Sequence, residues 1–102
     1  MQFLIHALDY RDAEALDRRM AARAAHVTLI DELKAKGHML LGAALLNDEG
    51  QMVGSVIVAE FEHKADLDAW LAIEPYQIQR VWETVTITPC KLGPSFTPAS
   101  VL

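Results

Sequence analysis

The sequence predicts an α+β fold with the element order strand, helix, strand, strand, helix, strand. Two periodicities support this prediction: apolar side chains recur at alternate positions in four segments, and every three or four residues in two others. The turn signal Asn47-Asp48-Glu49-Gly50 separates the second strand from the third, as in a β-hairpin. We therefore expect one sheet with both helices packed against it.

The chain is short enough to form one domain. Its 102 residues suit a single modest core, so we expect one domain over residues 1–102, with a core at about 2–91 and a C-terminal tail at 92–102. Apolar residues make up 52% of the sequence, which is high for a lone small domain. This composition indicates that a second copy covers part of the apolar surface.

Charge and hydropathy disfavour several classes of partner. Nine basic and fourteen acidic residues give a net charge of −5, which repels nucleic acid and anionic membrane surfaces. No apolar run reaches the roughly 20 residues of a membrane span, and the first residues alternate like a strand rather than a signal peptide. The single cysteine, Cys90, follows a proline without a flanking base, so we expect an inert thiol in a reducing, cytoplasmic compartment.

The first strand and the first helix are clearly marked. Residues Gln2 to Leu8 are apolar on both alternating sides, which is typical of a strand buried on both faces. A helix is predicted from Ala13 to Lys36, because alanine is abundant and apolar residues recur at helical spacing, and Gly37 ends it. The residues expected on its apolar face are Leu16, Met20, Val27, Ile30 and Leu33 or Lys34.

The remaining elements follow in order. A hairpin is predicted from His38–Leu46 and Gln51–Phe61, with Gly42 indicating a bulge or a close approach, and its second strand should be central. A second helix is predicted from Ala65 to about Ile73, and Pro75 should break it at Glu74. The last strand is predicted from Val81 to Thr88, where Pro89 ends it or places it at an edge.

This order is that of the ferredoxin-like βαββαβ fold with a four-stranded antiparallel sheet. Two helices cover only one face of such a sheet, and the sequence makes the other face apolar as well. The simplest cover for that face is the same face of another subunit. We therefore predict a homodimer in which the two sheets face each other.

Five features between Gln2 and about Lys91 resemble those of the YciI-like (YCII-related) proteins, small ferredoxin-like dimers of the dimeric α/β-barrel group. The resemblance depends on their order and spacing, since none is specific alone. They are Arg19, the Arg23-Ala24-Ala25-His26 spacing, Gly42, the Gly54-Ser55 pair and Glu74-Pro75-Tyr76.

The resemblance implies an acid/base pair. In that family, a histidine of the first helix acts with an aspartate that precedes a proline and an aromatic residue, which corresponds to His26 and Glu74 here. Glutamate replaces the aspartate, so the carboxylate reaches one methylene further. The best-understood reaction associated with the family is elimination of HCl from a chlorinated, polyhydroxylated benzene.

His26 and Glu74 also suit acid/base chemistry on their own. A neutral imidazole, with a reference pKa of about 6.5, accepts a proton near pH 7, and a carboxylate can fix its tautomer. The alternative is purely structural: a hydrogen-bonded histidine at a helix border and a solvated glutamate at a helix end.

Five further residues are candidate ligands for a substrate: Arg19, Arg23, Ser55, Tyr76 and His6. Guanidinium groups bind phenolates, enolates or carboxylates, although the same arginines also suit an exposed pair beside an aspartate. The serine and the tyrosine suit either a pocket wall or ordinary packing. His6 should point into the space between the two sheets of the dimer.

We predict a cofactor-independent enzyme that moves a proton on a small hydroxylated, possibly chlorinated aromatic molecule, as a dehydrochlorinase-type lyase or an isomerase. The alternative is a noncatalytic module that binds a small ligand or serves in assembly. A third hypothesis, a metal site, has less support, because the four histidines lack the short paired spacing of metal ligands. No cofactor, metal, nucleic acid or membrane partner is expected.

Overall fold

The structure, a computed structural model, describes residues 1–97. The predicted element order is confirmed, with one extra helical turn before the last strand and a short 3-10 helix after it. Part of the predicted tail, residues 98–102, lies outside the described residues. The elements are β1 (Gln2–Asp9), α1 (Ala15–Ala35), β2 (Met39–Leu46), β3 (Met52–Glu60), α2 (Lys64–Leu71), α3 (Pro75–Ile78), β4 (Trp82–Cys90) and the 3-10 helix (Pro94–Phe96).

The four strands form one antiparallel sheet in the order β2-β3-β1-β4. In its centre, Ile5 of β1 lies between Ile57 of β3 and Ile87 of β4. The prediction that β3 is a central strand is therefore confirmed. Pro89 lies on the edge strand β4, where a residue without a backbone N–H is tolerated. The fold is the predicted ferredoxin-like α+β fold.

The core lies between the sheet and the helices. Phe3, Ile5 and Ala7 of β1 alternate toward the helices and are almost fully buried, and Leu67 and Trp70 of α2 pack in the same cluster. Burying each large apolar side chain contributes about 1.5–3 kcal/mol, so this layer supplies most of the stabilisation.

The predicted apolar face of α1 was partly wrong. Met20 is 51% exposed and Val27 is 40% exposed, whereas Ala15, Arg19 and Ala22 are buried. Alanine occurs on every side of this helix, so its apolar periodicity does not single out one face. The buried face instead carries an arginine and a histidine whose partners lie inside the protein.

The glycine with a close backbone contact is Gly54 rather than Gly42. A Cβ on Gly42 would lie 3.9 Å from Cγ1 of Ile57, an ordinary contact, and the irregularities of β2 fall elsewhere, between Met39 and Leu41 and between Leu45 and Leu46. A Cβ on Gly54 would lie 2.6 Å from the carbonyl oxygen of Ala7. The prediction for Gly42 was therefore wrong. The close backbone approach that requires a glycine occurs at Gly54, where β3 pairs with β1.

The sheet face opposite the helices is called the open face here. Strand register places on it alternate residues of all four strands, and several of them, including His6, Leu8 and Leu41, are exposed. Its residues are Leu4, His6, Leu8, Leu41, Ala43, Leu45, Gly54, Val56, Val58, Thr84, Thr86 and Thr88.

Among residues 1–97, no helix has both the length and the apolar character needed to cross a membrane.

Candidate functional site

Glu74 owes its position to the proline that follows it. Pro75 begins α3 and favours an extended residue before it, and Glu74 has φ −65° and ψ 122°. From this position, Oε1 of Glu74 accepts a hydrogen bond from the backbone N–H of Tyr76 at 3.2 Å, as an N-cap residue does. The residue is 0% exposed. The predicted break at Glu74 thus places a carboxylate inside the protein.

Three donors surround that carboxylate. Besides the backbone of Tyr76, the indole Nε1 of Trp70 donates to Oε2 at 3.0 Å, and Nδ1 of His26 contacts Oε1. An ionised carboxylate only accepts hydrogen bonds, so Nδ1 carries the proton in this pairing. The other ring nitrogen, Nε2, then has its lone pair available as a base. The pairing therefore selects one tautomer of the neutral imidazole.

Aromatic contacts fix the plane of the His26 ring. The ring stacks on Tyr76, with centroids 3.9 Å apart and an interplanar angle of 11°, and it meets Trp82 edge to face at 6.3 Å. Its side chain is 14% exposed, so part of the ring contacts solvent. The imidazole is therefore held on two sides while one part stays accessible.

A buried polar cluster forms the neighbouring wall of the site. Nη1 of Arg19 donates to both carboxylate oxygens of Asp9 at 3.0 Å, and Nη2 donates to Oγ of Ser55 at 2.9 Å. The indole of Trp82 also donates to Oγ of Ser55, at 3.2 Å. Burial raises the pKa of Asp9, and this effect exceeds the lowering by the charge and hydrogen bonds of Arg19.

Tyr76 links the two groups of residues. The guanidinium of Arg19 lies 4.6 Å from the centroid of the Tyr76 ring, whose stacking with His26 is described above. Burial raises the pKa of Tyr76, although the positive charges of Arg19 and Arg23 act in the opposite direction. The phenol therefore stays protonated near neutral pH and can donate a hydrogen bond.

Arg19, His26, Ser55 and Tyr76 line a cavity of about 310 Å³ between α1 and the edge strand β2. Its lining combines a polar end with a long apolar part. The lining residues are Arg19, Arg23, His26, Val27, Ile30, Lys34, Met39, Leu40, Leu41, Gly42, Ala43, Ala44, Met52, Ser55, Ile57 and Tyr76.

The structure brings six of the seven predicted site residues to one place. Five of them line the cavity, and the sixth, Glu74, contacts His26 beneath the surface. The seventh, His6, lies on the open face, paired across the strands with Val56 and Thr86. His6 therefore lies on the face predicted for it, away from this cavity, and its role as a substrate ligand stays a prediction.

The sequence did not predict the supporting role of three residues in this site: Asp9, Trp70 and Trp82. Asp9 directly follows the predicted strand Gln2 to Leu8, yet it continues the alternation of buried β1 residues and lies at a register shift between β1 and β4. Trp70 precedes Glu74 by four residues, a spacing at which side chains meet along a helix. Only the hydrogen bond from Trp82 to Ser55 has no counterpart in the local sequence pattern.

Within residues 1–97, no group of three or more histidine, cysteine, aspartate or glutamate residues is arranged to hold a metal ion.

The chain is similar to proteins of known family. The model of the YCII-related domain matches residues 1–91. Protein YciI from Escherichia coli O6:H1 is 32% identical over 97 residues, covering 89% of this chain and 97% of that protein. An uncharacterized protein from Haemophilus influenzae is 28% identical with the same coverage.

Two solved structures share the fold. One is the 5-chloro-2-hydroxyhydroquinone dehydrochlorinase TftG from Burkholderia phenoliruptrix AC1100, in complex with 2,5-dihydroxybenzoquinone. Its TM-score is 0.79 at 24% identity, covering 95% of this chain and 100% of that chain. A dimeric ferredoxin-like protein of unknown function from Jannaschia sp. CCS1 has a TM-score of 0.57 at 21% identity, covering 87% of this chain and 98% of that chain. With the family model matched over nearly the whole chain, the protein belongs to the YCII-related family.

Proposed function

We propose that the protein is a cofactor-independent acid/base enzyme acting on a small hydroxylated aromatic molecule. One observation carries the proposal: a fully buried carboxylate, Glu74, holds Nδ1 of a histidine that lines a cavity. A buried carboxylate without a partner is costly, whereas one that orients a partly exposed imidazole serves proton transfer. His26 is the acid/base residue, and Glu74 orients it.

The other lining residues fit such a reaction. Nε2 of His26 takes the proton of a ring hydroxyl, and Arg23 stabilises the phenolate that forms. The protonated phenol of Tyr76 donates a hydrogen bond to a ring oxygen. Arg19 is already bound to Asp9 and Ser55, so its role is to hold Tyr76 and the cavity wall in place.

We favour dehydrochlorination as the reaction. The fold that this protein shares with the TftG dehydrochlorinase supports this choice. In the proposed reaction, His26 moves a proton from a ring hydroxyl to the carbon that carries chlorine. Chloride then leaves with the C–Cl bonding pair, while a second hydroxyl loses its proton. The net loss is HCl, the product is a quinone, and no oxidant is needed. An isomerase would use the same proton transfers without the loss of chloride.

We also propose that the protein is a homodimer formed through the open face. This face carries leucine, valine and alanine side chains from the three strands other than β4, and apolar surface of this kind favours association. The similar Jannaschia protein is described as dimeric. The noncatalytic ligand-binding or assembly module stays as the alternative function.

Replacement of His26 tests the enzyme proposal. With 5-chloro-2-hydroxyhydroquinone and a panel of chlorinated and hydroxylated aromatics, turnover is measured by chloride release and by the absorbance of the quinone. His26→Asn should lower kcat/KM by about 10²- to 10⁴-fold, the usual contribution of a general base.

His63→Asn is the matched control, because His63 is exposed and its ion-pair partner, Glu62, is exposed as well. This variant should keep full activity. Equal activity of the His26→Asn variant and the natural protein would refute the acid/base role. Ligand binding without turnover by the natural protein would support the noncatalytic alternative.

A further inference from the structure

The cavity has a charge distribution opposite to that of the chain. Acidic residues outnumber basic ones by fourteen to nine, yet the lining contains Arg19, Arg23 and Lys34 and no aspartate or glutamate. Arg19 is neutralised by Asp9. Within residues 1–97, neither Arg23 nor Lys34 forms an ion pair. Two positive charges therefore border the cavity without a protein counterion.

The two charges lie on either side of His26 along α1. Arg23 precedes His26 by three residues. Lys34 follows His26 by eight residues, so these two residues are separated by roughly 12 Å along the helix axis, at a rise of 1.5 Å per residue. The pairing of β2 with β3 indicates the same long axis for the cavity. Ala44 pairs with Ser55 near the polar end of the cavity, and Met39 pairs with Ala59 toward the C-terminal end of α1. The cavity is therefore elongated, with Lys34 at the end away from Ser55.

The region between His26 and Lys34 is apolar. Val27 and Ile30 of α1 face it from one side, and Leu40 and Gly42 of β2 border it on the other. The cavity volume of about 310 Å³ is about twice the ~150 Å³ of a cavity that holds benzene. A single ring at His26 thus leaves room for a short substituent that extends toward Lys34.

We propose that the ligand is a hydroxylated aromatic ring with a short carboxylate side chain, and that Lys34 is the residue selecting this carboxylate. The placement of the ring depends on the function proposed above, whereas the selection by charge depends only on the cavity. The ring stacks in the polar end beside His26 and Tyr76, the chain crosses the apolar region, and the carboxylate meets the ammonium of Lys34. The structural alternative is that Lys34 only stabilises the C-terminus of α1, where cations are favoured.

Binding measurements separate these two roles of Lys34. The probes are 3-(2,5-dihydroxyphenyl)propanoate and its primary amide, which have the same shape but differ in charge, and their affinities are measured by isothermal titration calorimetry. The natural protein should bind the acid about fivefold more tightly than the amide, as for an exposed ion pair. In Lys34→Met, the two affinities should become equal, while the affinity for the amide stays the same.

Lys36→Met is the matched control, because Lys36 caps the same helix end but does not line the cavity. It should keep the preference for the acid. Lys34 is exposed, and circular dichroism checks that its replacement leaves the fold intact.

Three results would overturn the inference: equal affinities for acid and amide in the natural protein, no binding of either probe, or the same loss of preference in Lys36→Met. None of these results depends on turnover, so they are distinct from a failure of the enzyme proposal. Conversely, rapid turnover of an uncarboxylated chlorohydroquinone together with equal probe affinities would support the enzyme proposal and contradict the role of Lys34.

Discussion

Glu74 is the residue on which the site depends most. Its carboxylate is 0% exposed and receives hydrogen bonds from Trp70 and the backbone of Tyr76 in addition to its contact with His26. Each donor offsets part of the cost of burying a charge. Glu74 therefore reaches the histidine from a position set by Pro75.

Trp70 should stabilise the protein through this carboxylate. Trp70→Phe keeps the aromatic packing but leaves Oε2 of Glu74 without its indole donor. We expect the free energy of unfolding to fall by about 1.5–3 kcal/mol, the range for a hydrogen bond to a charged group. Urea denaturation measures this change.

Trp82→Phe is the matched comparison, because its indole donates to the neutral hydroxyl of Ser55. Loss of that hydrogen bond should cost only about 0.5–1.5 kcal/mol. An equal or smaller loss in Trp70→Phe would show that Glu74 does not bear the charge assigned to it.

At this scale, the sequence predicted that His26 and Glu74 meet, as they do, but it did not predict their surroundings. Arg19, Arg23 and His26 follow one another at steps of four and three residues, which puts them on one line of a helix, and they line one cavity. Spacing alone gave no way to tell that Arg19 is buried, because its partner, Asp9, belongs to another element. Contacts between elements depend on how the sheet twists and pairs, which local periodicity does not encode.

At the scale of elements, alternation and turn signals predicted the four strands and the two longer helices close to their observed positions. The hairpin of β2 and β3 follows from the turn at 47–50 and two apolar segments. The orientation of α1 was harder to predict, because its fully buried positions are two alanines and Arg19, and its leucine and isoleucine residues are only partly buried. A helix that buries polar side chains violates the pattern by which buried faces are recognised.

The junction of β1 and β3 provides a test at this scale. Gly54→Ala would bring a Cβ to 2.6 Å from the carbonyl oxygen of Ala7, so the strands must separate or the residue must distort. We expect the free energy of unfolding to fall by about 1–3 kcal/mol, as for other overpacked sites. Thermal or urea unfolding measures it.

Gly42→Ala is the control on the neighbouring strand, where the new methyl group meets only Ile57 at 3.9 Å. It should leave the free energy of unfolding unchanged or raise it by about 0.4–1 kcal/mol, because alanine lowers the conformational entropy of the unfolded chain. If both variants had the same stability, the close approach at Gly54 would have no energetic consequence.

For the molecule as a whole, the open face is the main feature without a partner within the described chain. Its central row pairs His6, Val56 and Ala43 across three strands. The apolar composition of the sequence predicted that such a face needs a cover, and the homodimer stays a prediction. Composition indicates that surface must be covered but does not identify the covering molecule.

A lysine in the middle of this face should separate the subunits. Val56→Lys places a charge that two packed sheets cannot solvate, so the dimer should dissociate to monomers in sedimentation experiments. Met20→Lys makes the same chemical change on the exposed side of α1 and should leave the dimer intact. A natural protein that sediments as a monomer would contradict the dimer proposal.

The proposed acid/base role requires that buried Glu74 keep the proton of neutral His26 on Nδ1 and leave Nε2 as the base. Long-range ¹H–¹⁵N NMR spectra of the ring report directly which nitrogen carries the proton. At a pH where the imidazole is neutral, we expect the Nδ1–H tautomer, and we expect this preference to weaken in Glu74→Gln. A neutral ring protonated on Nε2 in the natural protein would contradict the account.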